Sequence, residues 1–307
     1  MSNVSEQFTV AVTLPGLYGP EVTEGTGVTA AARLAERLGF DSVLAPDLLT
    51  GDGTPALESI VAVTAAAAAT ERIGVGFGVL VPPVRPLPLT AAQIATVQHL
   101  SGGRVRLLGV GAGGFPQSPF WPASGAPAAG RGARLDAAID ALPGLLAGRP
   151  TAPGPGLPEV SLAPGVPVPP ILVGGGDTEK TLARAARADG WLPSLMPPRR
   201  FAAGVRRLTE LAGGRPAPHA LIGGHVLLGP DSEIAPARDA LVRSLVDEHG
   251  MDPADAAEAP MAGSPKQVAE RLAEYREAGA TGVAVSLDGD DWPRLAELFA
   301  EALALPA

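Results

Sequence analysis

The chain has 307 residues, 46% of them hydrophobic and 18% charged, a composition typical of a globular protein with a large core. Its formal net charge of −9 excludes the basic surface that nucleic acids or anionic membranes require. The absence of cysteine excludes disulfides, thiolate metal sites and a cysteine nucleophile. No signal-peptide pattern and no apolar run of bilayer length, about 20 residues, is evident, so we expect a cytoplasmic protein that does not enter a membrane.

Eight short apolar segments bounded by turn residues predict β-strands. In chain order they are Phe8–Leu14, Asp41–Ala45, Ile73–Leu80, Val105–Val110, Ile171–Val173, Trp191–Leu195, Ala220–Leu228 and Val283–Leu287. Segments with helical spacing of apolar residues lie between them. The predicted helices are Val28–Leu38, Pro55–Ala69, Leu89–Leu100, Ala133–Leu146, one after Thr178 that ends near Asp189, Arg200–Leu211, Ile234–Glu258, Pro265–Ala278 and Trp292–Leu303.

This alternation of strand and helix predicts parallel strands joined by right-handed crossovers. Eight such units in one chain of this length favour a (β/α)8 TIM barrel, an α/β fold, over an open sheet. No break in composition suggests a second domain, so residues 1–307 are predicted to form one. The segment 148–168, rich in proline and glycine, is predicted to be a loop insertion.

Glycines follow three of the predicted strands at their carboxyl ends, where barrel enzymes place their chemistry. After Ile171–Val173 come Gly174, Gly175 and Gly176, and then a helix whose N-cap is either Asp177 or Thr178. Such a turn directs backbone N–H groups and a positive helix end at an anion, for example a phosphate. A capped turn without a ligand explains the same residues.

Five blocks of sequence resemble the bacterial luciferase-like monooxygenase family, which includes enzymes that use coenzyme F420. The blocks are AARLAERLGFDSVLAPD from Ala31, ERIGVGFGVLVPP from Glu71, LSGGRVRLLGVGAGG from Leu100, PPILVGGGDTEKTLARAARADGWLP from Pro169, and GSPKQVAERLAEYREAGATGVAV from Gly263. They occur in the family's order and span nearly the whole predicted barrel.

This resemblance implies a (β/α)8 barrel that usually forms a homodimer, with a flavin or deazaflavin ring at the carboxyl end of the barrel. The ring would rest on a bulge at Gly78 and Val79, which in the family often contains a non-proline cis peptide. The cofactor phosphate would lie on the Gly175–Glu179 turn, and Gly111, Ala112 and Gly113 would contact the cofactor as well. Asp47 matches an acidic residue near the reacting edge of the ring, so the resemblance implies a catalytic role for it.

Two positions depart from the pattern of many deazaflavin-dependent members. Leu48 stands where those enzymes have histidine, and Gly114 stands where they have glutamate. Because reduction of an organic substrate usually requires a positioned acid, the proton donor must be another group if the chain is such a catalyst. His225 is the only histidine inside a predicted strand, and it is either that acid or a satisfied core side chain.

Three aromatic side chains, Phe115, Phe120 and Trp121, follow the fourth strand in a chain with only 4% aromatic residues. With Leu48 and Ser194 they are predicted to line an apolar pocket for a small-molecule substrate, although simple loop packing explains them equally well. Arg199 and Arg200 would neutralise an acidic substrate or cofactor tail, or form a solvated charge pair. No metal-ligand spacing is present, so no metal is predicted.

Three functions are compatible with these patterns. The first is an F420-dependent oxidoreductase that transfers hydride between the deazaflavin and a small organic substrate. The second is a monooxygenase that uses reduced FMN from a separate reductase together with dioxygen. The third is a barrel that binds a flavin without catalysis, which the absence of the two expected acid–base residues would explain.

Overall fold

The computed structural model describes residues 8–19, 27–48, 50–114, 116–248 and 250–306. The strands within these residues are β1 (Thr9–Thr13), β2 (Ser42–Ala45), β3 (Gly74–Leu80), β4 (Val105–Val110), β5 (Ile171–Gly174), β6 (Gly190–Leu192), β7 (His219–Leu228), β8 (Met261–Gly263) and β9 (Gly282–Leu287).

Helices alternate with these strands along the chain. They are α1 (Val28–Leu38), α2 (Ser59–Ala68), α3 (Leu87–Leu100), α4 (Phe120–Ala123), α5 (Arg131–Leu146), α6 (Glu179–Arg187), α7 (Pro198–Ala212), α8 (Asp231–Asp247), α9 (Pro253–Glu258), α10 (Pro265–Glu277) and α11 (Trp292–Ala304). A 3-10 turn, Pro82–Val84, follows β3.

The strand order confirms the predicted fold class. Strands β1 to β6 are neighbours in chain order, β6 also pairs with β7, β7 pairs with β9, and β9 pairs with β1. The eight parallel strands therefore close into a (β/α)8 barrel. The additional strand β8, which the sequence did not predict, pairs in parallel with the last three residues of β7.

The chain contains two compact units. The first comprises residues 14–33 and 42–174 and is called the 14–174 unit below. The second comprises residues 1–13, 34–41 and 175–307, of which the structure describes those given above, and is called the 175–307 unit.

Tight contact between β3 and β4 shapes the core of the 14–174 unit. A Cβ on Gly76 would lie 2.2 Å from the carbonyl oxygen of Leu107, which explains a glycine in the middle of a buried strand. The register of the two strands shifts at this point and again between Phe77 and Leu80. The second shift is the bulge that positions Gly78 and Val79.

An aromatic cluster holds the core of the 175–307 unit. Trp191 of β6 stacks on Phe201 of α7 with ring centroids 5.6 Å apart, and Tyr275 of α10 meets Phe201 edge-on. Gly204 leaves room for the indole, because a Cβ there would lie 2.3 Å from it. The hydroxyl of Tyr275 donates a hydrogen bond to the carbonyl of Met196 and so fixes the chain that follows β6.

Several predicted boundaries were wrong. The second helix begins at Ser59 and not at Pro55, because the carboxylate of Glu58 caps it by accepting from the N–H of Val61. The predicted helix Ile234–Glu258 is two helices, α8 and α9, since Gly250 has a φ of +64° and Asp252 caps a new helix.

Strand β6 ends earlier than predicted, at Leu192, and Leu195 adopts a φ of +55°. Segment 148–168 contains one isolated bridge, between Thr151 and Val160, and otherwise agrees with the predicted loop. Among the described residues, none of the helices is both long and apolar enough to cross a membrane.

Candidate functional site

Asp47, immediately after β2, is bonded on both carboxylate oxygens. Oδ2 accepts from the N–H of Val81 (3.0 Å) and from Nε of Arg85 (3.2 Å). Oδ1 accepts from Nη2 of Arg85 (2.7 Å) and from the hydroxyl of Ser59 (3.4 Å). The backbone N–H of Asp47 donates to the carbonyl of Val79, and its side chain is only 3% exposed. Asp47 therefore holds the backbone at Val79, in the bulge of β3, and at Val81, just after the strand.

Arg85 carries this network further. Its Nη1 lies 2.8 Å from Oε1 of Glu58, at ion-pair distance, although the angle does not make this contact a hydrogen bond. Burial lowers the pKa of Arg85, but its hydrogen bonds to Asp47 and the negative charges of Asp47 and Glu58 outweigh burial, so the net direction is upward. The guanidinium thus stays charged. Asp47 has a structural role in holding the bulge, and its catalytic role stays a prediction.

The bulge holds the side chain of Val79 against two glycines. A Cβ on Gly111 would lie 2.8 Å from Cγ2 of Val79, and a Cβ on Gly174 would lie 2.8 Å from its Cγ1. The Gly78–Val79 peptide is cis, as the resemblance implied for this position. Gly111 and Gly174 are therefore glycines because Val79 occupies the space beside them.

Two of the three predicted pocket aromatics line a small cavity. It has a volume of about 30 Å³, and Asp47, Val81, Val84, Gly113, Gly114, Ser118, Phe120 and Trp121 surround it. This volume holds no more than one or two water molecules. Trp121 is buried against Val81 and Val84, and Phe115 lies outside the described residues.

Gly113 and Gly114 differ in what surrounds them. Gly113 has a φ of +87°, and a Cβ there would lie 2.7 Å from the Trp121 ring. A Cβ on Gly114 would meet nothing within 4 Å. Neither Leu48 nor Ala112 lines the small cavity, and both are half-buried.

A larger groove lies on the other side of the Asp47–Arg85 pair. Its volume is about 1030 Å³, and its mostly apolar lining comes from the turn before α3, one face of α5 and residues 151–157. Arg85 lines this groove while Asp47 lines the small cavity. No sequence pattern signals the groove, because its walls are distant in the chain.

The 175–307 unit contains the predicted anion-binding turn. Thr178 is the N-cap of α6, one of the two predicted choices, and its hydroxyl accepts from the N–H of Thr181 (3.2 Å). Gly175 has a φ of +134°, and its carbonyl accepts from Nε1 of the buried Trp191 (2.9 Å). Gly175, Gly176 and Thr178 are exposed, so the amino end of α6 is open.

The acidic residues of this turn are held by arginines of α7. Arg200 donates to both carboxylate oxygens of Asp177 (3.1 and 2.6 Å), and Arg207 donates to Glu179 (3.0 and 2.6 Å). Arg200 also reaches Asp255 of α9, which Arg199 binds as well. Within this unit the two arginines therefore neutralise Asp177 and Asp255, and their neutralisation of an acidic substrate or cofactor tail stays a prediction.

His225 and Asp288 form a second pair in this unit. Nδ1 of His225 lies 2.6 Å from Oδ2 of Asp288, and both side chains are about one-third exposed. The hydrogen bond that His225 donates to Asp288 raises the pKa of His225, and burial opposes this rise without reversing it. Ser194, a predicted pocket residue, is exposed and forms an isolated β-bridge with Gly223 of β7, the strand that carries His225. Among the described residues, no cluster of side chains has the composition of a metal site.

Comparison with known proteins now identifies the family. The model of the family described as luciferase-like monooxygenase matches residues 12–282. The chain belongs to this family. Its members are F420- or FMN-dependent oxidoreductases or monooxygenases, so the resemblance seen in the sequence is confirmed.

Relatives in sequence include an uncharacterized protein of Mycobacterium tuberculosis, 34% identical over 222 residues, which cover 64% of this chain and 76% of the relative. A shorter match, 43% identical over 99 residues, is to the F420-dependent glucose-6-phosphate dehydrogenase of Beutenbergia cavernae and covers 29% of each chain.

Solved structures share the fold at low identity. An F420-dependent secondary alcohol dehydrogenase is 18% identical with a TM-score of 0.75, and the match covers 96% of this chain and 98% of that one. The monooxygenase RslO1 from Streptomyces bottropensis is 21% identical with a TM-score of 0.77, over the same shares. At these identities the likeness shows the fold alone.

Proposed function

We propose that this chain is a coenzyme F420-dependent oxidoreductase that transfers hydride between the deazaflavin and a small organic substrate. The observation that carries the choice of cofactor is the 43% identity over 99 residues to an F420-dependent dehydrogenase. Membership of the family supplies the reaction class, and the bound deazaflavin would supply the hydride acceptor or donor. The chain's own residues then have to hold the ring, bind the phosphate and move a proton.

The bulge of β3 is suited to support a flat ring. Val79 is fixed between Gly111 and Gly174, and Asp47 bonds the backbone on both sides of it. A support that is fixed before binding loses little conformational entropy when the ring arrives. We assign Gly78, Val79 and the Gly111–Gly113 segment to ring contact.

The turn before α6 is suited to a phosphate. Its amide groups are exposed at a helix amino end, and the nearby carboxylates of Asp177 and Glu179 are each paired with an arginine. We assign Gly174–Glu179 to the phosphate. Because F420 and FMN both carry a phosphate, this turn does not distinguish between them.

The substrate we propose is small and mostly apolar. Phe120 and Trp121 supply apolar surface near Asp47, and Leu48 contributes an aliphatic side chain beside it. The absence of histidine at position 48 and of glutamate at position 114 sets the chain apart from both the sugar-phosphate and the alcohol dehydrogenases of the family. For this reason we do not propose a sugar phosphate as the substrate.

A turnover assay tests the reaction class. The purified protein is mixed with reduced F420 and a panel of small aldehydes, ketones and enones, and the return of oxidised F420 is followed by absorbance. Turnover of at least one compound supports the proposal. A protein that instead consumes dioxygen with reduced FMN, supplied by a separate reductase, is a flavin-dependent monooxygenase.

We also propose that the protein is a homodimer that associates through α2 and α3. Val61 of α2 is 68% exposed, and Leu89 and Leu100 of α3 are 56% and 72% exposed. Apolar side chains exposed on two adjacent helices are typical of a covered surface. Sedimentation of the wild-type protein and of Leu100→Glu tests this: a dimer that the substitution weakens supports it, and a wild-type monomer contradicts it.

A further inference from the structure

His225 lies on β7 near the carboxyl end of its ladder with β9. The register pairs His225 with Ser286, and Asp288 follows the last residue of β9. Since side chains alternate between the faces of a strand, positions 225, 286 and 288 share one face. In (β/α)8 enzymes the groups that act on the substrate come from this end of the strands.

The contact with Asp288 leaves one imidazole nitrogen available. A carboxylate only accepts, so Nδ1 of His225 carries a proton and donates a hydrogen bond to Oδ2 of Asp288 across the 2.6 Å contact. Among the described residues no group is bonded to Nε2, and the side chain is 38% exposed. A satisfied core histidine would be buried with both nitrogens bonded, so the core interpretation does not fit.

Among the described residues, the strand positions that neighbour the pair carry no competing charge. On the shared face the neighbouring positions are Gly223 on β7 and Ala284 and Ser286 on β9, none of which is ionisable. From the β6 side, Ser194 and Leu195 approach at Gly223. Asp288 is therefore the charged group that acts on the imidazole, and it keeps the protonated form populated nearer to neutral pH.

We propose that His225, oriented by Asp288, is the proton-transfer residue of this enzyme, an inference that rests on the proposed oxidoreductase function. As the carbonyl carbon of a substrate gains a hydride, Nε2–H gives a proton to the carbonyl oxygen and an alcohol forms. The imidazole is left neutral and regains a proton from water. In the reverse direction Nε2 accepts the hydroxyl proton. The His225–Asp288 pair would supply the proton donor that Leu48 and Gly114 cannot provide.

NMR titration of histidine-labelled protein tests the arrangement without any substrate. In the wild type, the imidazole of His225 should titrate above its unperturbed pKa, and Asp288→Asn should lower that pKa, whereas Asp288→Glu should restore most of the difference. The matched control is His219→Asn, at the exposed amino end of the same strand, which should leave His225 unchanged. An identical His225 pKa in the wild type and in Asp288→Asn would overturn the proposal.

Saturation with oxidised F420, or with FMN if only FMN binds, tests whether the His225–Asp288 pair belongs to the cofactor site. The Nε2 resonance and the pKa of His225 should shift, and those of His219 should not. In carbonyl reduction, His225→Asn should lower kcat at least a hundredfold with little change in cofactor Kd. A bound cofactor with no response at His225, or an unchanged kcat, would overturn this inference alone. Failure of both cofactors to bind would overturn the proposed function together with it.

Discussion

Arg85 donates two hydrogen bonds to Asp47, and the side chains of Arg85 and Asp47 are 14% and 3% exposed. The pair joins the end of β2 to the segment after β3, since Asp47 also holds the backbone at Val79 and Val81. The resemblance implies a catalytic role for Asp47. In this chain Asp47 also holds the bulge that we assign to the cofactor ring.

Removal of the Arg85 side chain should be strongly destabilising. Arg85→Met leaves a buried carboxylate without its cation, and such a loss costs about 3 to 5 kcal/mol of unfolding free energy. Urea unfolding followed by circular dichroism measures it. The matched control is Arg238→Met, which breaks an ion pair with the exposed Asp231 and should have a much smaller effect, because solvent screens that pair. Equal effects of the two substitutions would contradict the account.

The contact between Val79 and its glycines predicts a compensating pair of substitutions. Gly111→Ala places a methyl group 2.8 Å from Cγ2 of Val79 and should cost about 1 to 3 kcal/mol. Val79→Ala should remove most of that cost when combined with it, which a double-mutant cycle detects as a favourable coupling.

Gly114→Ala serves as the control for this series, because its new Cβ meets nothing within 4 Å. It should leave stability unchanged within about 0.5 kcal/mol. Additive effects of Gly111→Ala and Val79→Ala would show that the two positions do not compete for space.

Arg200 should matter for binding of a phosphate-bearing cofactor. Arg200→Met leaves the carboxylate of Asp177 unpaired beside the amino end of α6, where a negative charge repels a phosphate. We expect the Kd of the cofactor to rise about tenfold, which corresponds to about 1.4 kcal/mol. Fluorescence titration measures it, and added salt should narrow the difference. Arg238→Met again is the control, and an unchanged Kd in Arg200→Met would argue against this phosphate assignment.

The His225–Asp288 pair should stabilise the fold most at acidic pH. Because the pKa of His225 is raised in the folded protein, its contribution is full below about pH 6.5, the unfolded value, and disappears as pH rises through the folded value. Asp288→Asn should therefore cost about 1 kcal/mol or less at pH 5.5 and almost nothing at pH 9. Urea unfolding at both pH values checks this, and a cost that grows with pH would have the wrong sign.

Local patterns in the sequence sufficed to predict the fold and parts of the site. Strand and helix alternation predicted the barrel, the residue pattern after β5 predicted a cap at Asp177 or Thr178, and the resemblance located the cis peptide at Gly78 and Val79. The first two depend on residues close in the chain, where spacing and turn chemistry carry the information, and the cis peptide follows from the resemblance to the family.

What the sequence did not reveal depends on contacts between distant residues. His225 and Asp288 are 63 positions apart, and Arg85 lies 38 positions from Asp47. Gly111 and Gly174 were predicted to contact the cofactor, and the structure shows in addition that the side chain of Val79 packs beside both of them. A glycine signals that a side chain is excluded, but only tertiary packing reveals what excludes it.

Titration of the purified protein with oxidised F420 and, separately, with FMN, followed by fluorescence, shows which of the two cofactors it binds. F420 should bind at least ten times more tightly than FMN. Tighter binding of FMN would contradict it and indicate flavin-dependent oxygen chemistry. If neither cofactor binds below about 1 mM, where binding is worth only about 4 kcal/mol, the assignment of both the ring support and the phosphate turn is wrong.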